Sequence, residues 1–231
     1  MKIIRDILRK FRYELKFFIK KKKSNTVYFN DSSSDKELEN LMNRYGSDKG
    51  DLTNHHNYTN YYSKIFFNKK EYIKNFLEIG LGTNNINVPS NMGIKGTPLA
   101  SLRAWRDYFI NASIYGGDID KGILKDEKRI KTFFVDQTKP ETIKKMFNEI
   151  GVKEFDVILE DGLHEFKANI CFFECAINHL SKDGIYIIED VYIKDQKKFL
   201  DYFKKTKYNF SIVDIYHPRN IANNCIMIIK K

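Results

Sequence analysis

The chain predicts an α/β protein with a mainly parallel, doubly wound sheet. Three observations lead there. Short β-branched apolar runs alternate with stretches of helical periodicity, the pattern of repeated βαβ units. Val157-Ile158-Leu159 and Ile185-Tyr186-Ile187-Ile188 are apolar throughout, as strands covered on both faces must be. Both runs stop abruptly in acids, Glu160-Asp161 and Glu189-Asp190, at the strand ends where open α/β sheets hold their ligands.

The elements follow in order. Residues 1–23 place Ile3, Ile4, Ile7, Leu8, Phe11, Leu15, Phe18 and Ile19 at helical spacing, with Lys and Arg on the remaining face. This reads as a basic amphipathic helix, suited to an anionic membrane surface, to another subunit or to the body of the protein. Residues 24–41 read as a polar linker and a short helix, and residues 42–231 as the main domain. A Gly/Asp/Asn/His-rich loop at 46–60 leads into a helix near 59–68. Strands are expected at 75–79, 113–117, 131–135, 156–160 and 184–188, with helices near 99–109, 140–149, 165–180 and 195–205. Two more strands, 210–216 and 225–229, flank the turn His217-Pro218-Arg219-Asn220. They complete a seven-stranded sheet with an antiparallel edge strand. Residues 83–98, rich in Asn, Gly and Pro, should form a loop over the site.

The formal charge of +10 suggests a nucleic-acid partner until its placement is examined. Residues 1–23 hold ten Lys/Arg against Asp6 and Glu14, a net +8, which leaves +2 for the other 208 residues. A nearly neutral body argues against nucleic acid. Cys171, Cys175 and Cys225 are odd in number and lack metal-type spacing, which fits a reduced, cytoplasmic compartment. With no span-length apolar stretch, any membrane contact is peripheral, through residues 1–23 at the inner face.

The strand ends carry the chemistry. Leu77-Glu78-Ile79-Gly80-Leu81-Gly82-Thr83 puts Gly-x-Gly after the first core strand, the second strand ends in Gly117-Asp118-Ile119-Asp120, and the third in Asp136-Gln137. Asp118 is placed to grip a ribose, and Asp136 and Gln137 to meet an adenine edge or cap a helix. Without a third glycine or a P-loop lysine, these ends favour a nucleoside lacking a pyrophosphate, with S-adenosylmethionine the leading candidate. Asp161, Glu189 and Asp190 suit a hard divalent cation, and His164 suits a general base. Asp161-x-x-His164 alone would equally describe a helix cap and an exposed histidine. Asp48, Lys49, His56 and Tyr58 either fold over the site or form a polar surface loop. Trp105 and Tyr108 should pack a helix on the sheet, and Arg103 should be a solvated or ion-paired helix residue rather than a contact to a phosphate or carboxylate ligand.

Several strings carry a family likeness: Tyr45-Gly46-Ser47-Asp48-Lys49-Gly50, His56-Asn57-Tyr58-Thr59, Leu77-Glu78-Ile79-Gly80, Ser101-Leu102-Arg103-Ala104-Trp105, Glu160-Asp161-Gly162-Leu163-His164 and Ile188-Glu189-Asp190. With these the chain resembles the class I S-adenosylmethionine-dependent methyltransferases, and among them the metal-dependent sugar O-methyltransferases of macrocin and mycinamicin type. The resemblance implies a Rossmann-like fold. It also implies a cofactor set of Glu78, Gly80, Gly82, Asp118, Asp136, Gln137, Tyr58 and Ser101, Mg²⁺ or Mn²⁺ on Asp161, Glu189 and Asp190, and catalysis by His164 with Asp161. The chain departs from the family pattern at Leu163, usually Ser, and at Glu160, usually Asp. The implied activity is methyl transfer to a hydroxyl of a sugar or nucleotide-activated sugar in surface-polysaccharide or glycan synthesis, by a homo-oligomer. A phosphorylated headgroup or phenol is the alternative acceptor. A non-catalytic membrane-surface adaptor is a third reading, against which the intact acids and His164 argue.

Overall fold

The computed structural model describes residues 7, 8, 11, 15, 25–31, 35–51, 55–220 and 223–231. The chain runs β1 (Thr26–Phe29), α1 (Glu37–Tyr45), α2 (Thr59–Phe66), β2 (Asn75–Ile79), α3 (Ala100–Tyr108), β3 (Ser113–Asp118) and β4 (Ile130–Phe134). It continues through α4 (Pro140–Ile150), β5 (Phe155–Glu160), α5 (Phe166–Ala176), β6 (Leu180–Ile188), α6 (Gln196–Phe203), β7 (Asn209–Ile215) and β8 (Cys225–Lys230). The strands form one sheet in the order β1-β7-β8-β6-β5-β2-β3-β4, parallel except for β8.

Alternation along each strand decides what each face receives. Phe76, Ile114, Val157 and Ile187 face α1, α2 and α3, which bring Leu38, Met42, Tyr62, Phe66, Leu102 and Trp105. Leu77, Ile79, Ile158, Tyr186 and Ile188 face the opposite layer with Ile143, Met146, Phe147, Phe172, Phe173 and Phe203. Trp105 is fully buried, stacked on Phe109 at 5.4 Å and edge-on to Tyr62 at 5.6 Å. Arg103 pairs with Glu127 through two guanidinium nitrogens, at 2.8 and 3.1 Å. The doubly wound α/β class is as the sequence predicted.

Two features differ. The sheet has eight strands, because Thr26-Val27-Tyr28-Phe29, inside the stretch read as a linker, pairs in parallel with β7. This quartet is β-branched and aromatic, and Phe29 is buried edge-on to Tyr61 at 5.1 Å. The antiparallel strand lies inside the sheet, since β8 pairs with both β6 and β7 and leaves β1 and β4 at the edges. The amphipathic helix expected over 1–23 lies outside the described residues, apart from Ile7, Leu8, Phe11 and Leu15, which are helical and at least half exposed.

Candidate active site

The carboxyl ends of five adjacent strands fall in one line. Backbone bonds run from Val135 N–H to Asp118 O, Gly80 N–H to Gly117 O, Asp161 N–H to Ile79 O and Glu189 N–H to Glu160 O, at 2.8–2.9 Å. Asp136, Asp118, Gly80, Asp161 and the pair Glu189-Asp190 are thereby brought side by side. Chain order reverses between β2 and β5, which opens a crevice at that point. A cavity of about 250 Å³ lies there, and its wall includes Gly80, Gly82, Asp118, Asp136 and Gln137 together with Asp48, Asp161, His164 and Asp190. Gly80 has a φ of 89°, and a Cβ on it would run into the carbonyl of Asp161. Only glycine lets β2 and β5 close on the crevice this tightly.

On the nucleoside side, Asp118 is nearly buried, and its two carboxylate oxygens accept the Leu81 and Asp120 N–H groups at 2.7 and 2.8 Å. Each oxygen keeps a second lone pair for a ligand. Burial raises this carboxyl above its ordinary range despite those two donors. Burial would also raise Asp136, but Thr138 and Lys139 hold it below the usual range. Gln137 is a brace: its amide donates to Glu160 at 2.8 Å and accepts the Leu163 N–H at 2.6 Å. The 83–98 segment runs along the wall as a loop, with Val88, Pro89, Ser90 and Met92 on the cavity and the Ser90 hydroxyl donating to Leu163 O at 3.2 Å.

Glu78, Ser101 and Tyr58, expected at the cofactor, stand outside the cavity wall. Strand alternation explains Glu78, which shares the face of Phe76 beneath α3 rather than the opening. There it is fully buried beside Lys49 at 3.4 Å, and burial lifts its carboxyl to about 7. Tyr58 donates instead to Asp190 Oδ1 at 2.5 Å.

The acidic side gathers Asp48, Glu78, Asp161, Glu189 and Asp190 around one buried cation, Lys49. Burial works against that ammonium, yet Asp161, Glu189 and Glu78 hold it well above the ordinary lysine value. Lys49 donates to Asp161 Oδ2 at 2.5 Å and to Glu189 Oε2. Glu189 Oε1 accepts the Tyr62 hydroxyl at 2.5 Å. Burial raises Glu189 and Asp190, whereas Lys49 and His164 overcome burial at Asp161 and keep it low. Asp161, His164 and Asp190 each direct one ligand atom to a common point, within 4.8 Å of one another. Nε2 of His164 lies 4.0 Å from Asp161 Oδ1 and 3.7 Å from Asp190 Oδ2, two oxygens that accept no hydrogen bond among the described residues. Two free carboxylate oxygens in a cluster of excess negative charge fit a hard divalent cation. Glu189, expected as a third ligand, is turned to Lys49 and Tyr62 and reaches an ion only through lone pairs those donors leave. Both His164 and Asp190 have left-handed backbones, with φ of 58° and 52°.

Of the 46–60 loop residues, Lys49, His56 and Tyr58 fold onto these acids rather than forming a surface loop, and Tyr62, one helical turn beyond Tyr58, joins them without having been singled out in the sequence. His56 is buried with Nε2 at 3.4 Å from Asp190, and burial depresses its pKa to about 4.

Glu160 supports this side from behind. Its Oε1 accepts Gln137 at 2.8 Å and Asn169 at 2.5 Å, and burial raises the carboxyl from 4.5 to about 7. Between those values the folded chain keeps a proton that the unfolded chain has released, so this group's stabilisation is lost as pH rises. Glu160→Gln removes the linkage. Its melting temperature relative to wild type should therefore climb from about pH 5 to about pH 8. A pH-independent difference would show that Glu160 ionises normally in the fold.

No protein-family model matches the chain. It is 30% identical over 154 residues to the 8-demethyl-8-alpha-L-rhamnosyl tetracenomycin-C 2'-O-methyltransferase of Streptomyces olivaceus, covering 67% of this chain and 37% of that protein. It is also 30% identical over 168 residues to the demethylmacrocin O-methyltransferase of Streptomyces fradiae, covering 72% and 39%. Among solved structures it is similar to the MycE methyltransferase of the mycinamycin biosynthetic pathway, in complex with Mg and SAH. The identity is 28%, the TM-score 0.57, and the match covers 73% of this chain and 40% of that one. The chain thus spans about two fifths of the length of the curated relatives it matches. The doubly wound sheet with acids at adjacent strand ends is the Rossmann-like architecture of that methyltransferase neighbour. The relatives and this neighbour are sugar O-methyltransferases of macrocin and mycinamicin type, and the chain is similar to them over 67–73% of its length.

Proposed function

We propose that this chain transfers the methyl group of S-adenosylmethionine to a sugar hydroxyl with the help of Mg²⁺ or Mn²⁺. One observation carries the reading: Asp161 Oδ1, Asp190 Oδ2 and His164 Nε2 converge in the wall of the cavity that Asp118, Gly80 and Gly82 also line. Relatives named for methylating a glycosyl hydroxyl, and a neighbour solved with Mg and SAH, support it. Asp118, Asp136 and the Gly80-to-Gly82 turn would hold the nucleoside, and Asp161 and Asp190 the cation. Once bound, the cation supplies Lewis acidity and orientation to an acceptor hydroxyl. His164 Nε2 takes the hydroxyl proton as the oxygen–methyl bond forms and the carbon–sulfur bond breaks. A nucleotide-activated sugar of surface-polysaccharide synthesis is the first acceptor to try, in a panel that includes phosphorylated headgroups and phenols.

Calorimetry should show S-adenosylhomocysteine binding while NAD does not bind. Asp118→Ala should weaken that binding by about 1.5–3 kcal/mol, the range for hydrogen bonds to a charged group. Unchanged affinity in the folded variant would remove Asp118 from the site.

We further assign residues 1–23 to an appendage that contacts anionic membrane or another copy of the chain, in a cytoplasmic, peripherally bound homo-oligomer. The support is the uneven charge and apolar stripe of the sequence, and no described helix is long and apolar enough to cross a membrane. Truncation before Ser24 should preserve cofactor binding and reduce either sedimentation coefficient beyond the lost mass or salt-sensitive liposome binding. If neither changes, the segment packs on its own domain.

A further inference from the structure

Three donors from one short stretch of chain divide the oxygens of the acid cluster among them. Tyr62 donates to Glu189 Oε1, Lys49 to Glu189 Oε2 and Asp161 Oδ2, and Tyr58 to Asp190 Oδ1. Tyr58 and Tyr62 lie one helical turn apart, so their side chains stand on the same face at the start of α2. Their targets are consecutive in sequence. Consecutive strand residues point to opposite faces, but the left-handed φ of Asp190 breaks the alternation and lets both acids meet α2.

We propose that Tyr58 and Tyr62, backed by Lys49, are positioning residues of the cation site. They hold Asp190 and Glu189 in fixed rotamers and leave Asp161 Oδ1 and Asp190 Oδ2 to present to a divalent cation beside His164. This rests on the cation reading of the site given above. A neutral hydroxyl suits the task because it fixes a carboxylate without adding a positive charge to compete with the ion. Lys49 offsets the cluster's charge from the side away from those two oxygens, bonding Asp161 through Oδ2 and lying 3.4 Å from Glu78. Tyr58 and Tyr62 are 1% and 0% exposed, so water does not replace a deleted hydroxyl. The aromatic packing does not depend on the hydroxyls: Tyr58 stacks on His56 at 4.7 Å and Tyr62 meets Trp105 at 5.6 Å. Phenylalanine therefore isolates the donor function.

Mn²⁺ titration of the full chain, followed by the paramagnetic resonance of the free ion, tests the proposal. Tyr58→Phe and Tyr62→Phe should each bind Mn²⁺ about 10–100-fold more weakly, the usual cost of removing an outer partner of a metal ligand. S-adenosylhomocysteine affinity should stay near wild type, whereas a purely architectural role would lower it together with Mn²⁺ affinity. Wild-type Mn²⁺ affinity in both variants, with binding lost in Asp190→Asn, would overturn the positioning role and leave the cation site standing. A wild-type chain that takes up no Mn²⁺ would overturn both.

Discussion

His164→Asn should fold and bind S-adenosylhomocysteine normally, yet lose about 10²–10⁴-fold in kcat, the range for a positioned general base. Asparagine is the informative replacement because His164 has a φ of 58°. Asn adopts that left-handed backbone readily, while alanine would add strain unrelated to proton transfer. His164 sits 3.7–4.0 Å from the two free carboxylate oxygens, within reach of a hydroxyl bound between them. Steady-state kinetics at saturating methyl donor, with circular dichroism as the folding control, measures the effect. A variant that keeps most of its kcat would assign proton removal to bulk water and leave His164 a wall residue.

The second large effect is expected at Asp190. Asp190→Asn keeps a side chain that tolerates the φ of 52° and replaces an anionic ligand oxygen by a neutral amide. Its Mn²⁺ affinity should fall by more than the roughly 10–100-fold cost of losing an outer partner. Activity at limiting Mg²⁺ should fall in step. Asp161→Asn should behave alike and also lose the charge facing Lys49, so its apo form should melt lower than that of Asp190→Asn. Cation affinity unchanged in both would leave the acids with the structural task of holding Lys49 and Tyr58.

Much of this arrangement was legible in the sequence because it is local. The apolar runs ending in Gly80, Asp118, Asp161 and Glu189 define both the strands and the points where they stop, and the strand at 75–79 has the bounds expected of it. β6 begins earlier, at Leu180, because Ser181, Lys182 and Asp183 mask its first half with polar side chains. β1 was hidden in a polar stretch, since a four-residue edge strand gains its stability from β7 and Tyr61 rather than from its own pattern. Glu78, assigned to the cofactor by the family likeness, shares the strand face of Phe76, and this alternation brings its side chain to Lys49. The Lys49–Glu189 and Tyr58–Asp190 contacts join residues far apart in sequence, and no periodicity encodes such pairs.

The central claim is cation-dependent methyl transfer to a sugar hydroxyl, and one assay tests it most directly. The full chain is incubated with methyl-labelled S-adenosylmethionine and a panel of nucleotide sugars, after exhaustive chelation and again after Mg²⁺ or Mn²⁺ is restored. Label should enter an O-methyl group on at least one sugar, disappear with chelation and return with either ion, since oxygen ligands suit both. Full transfer in the chelated protein would contradict the account.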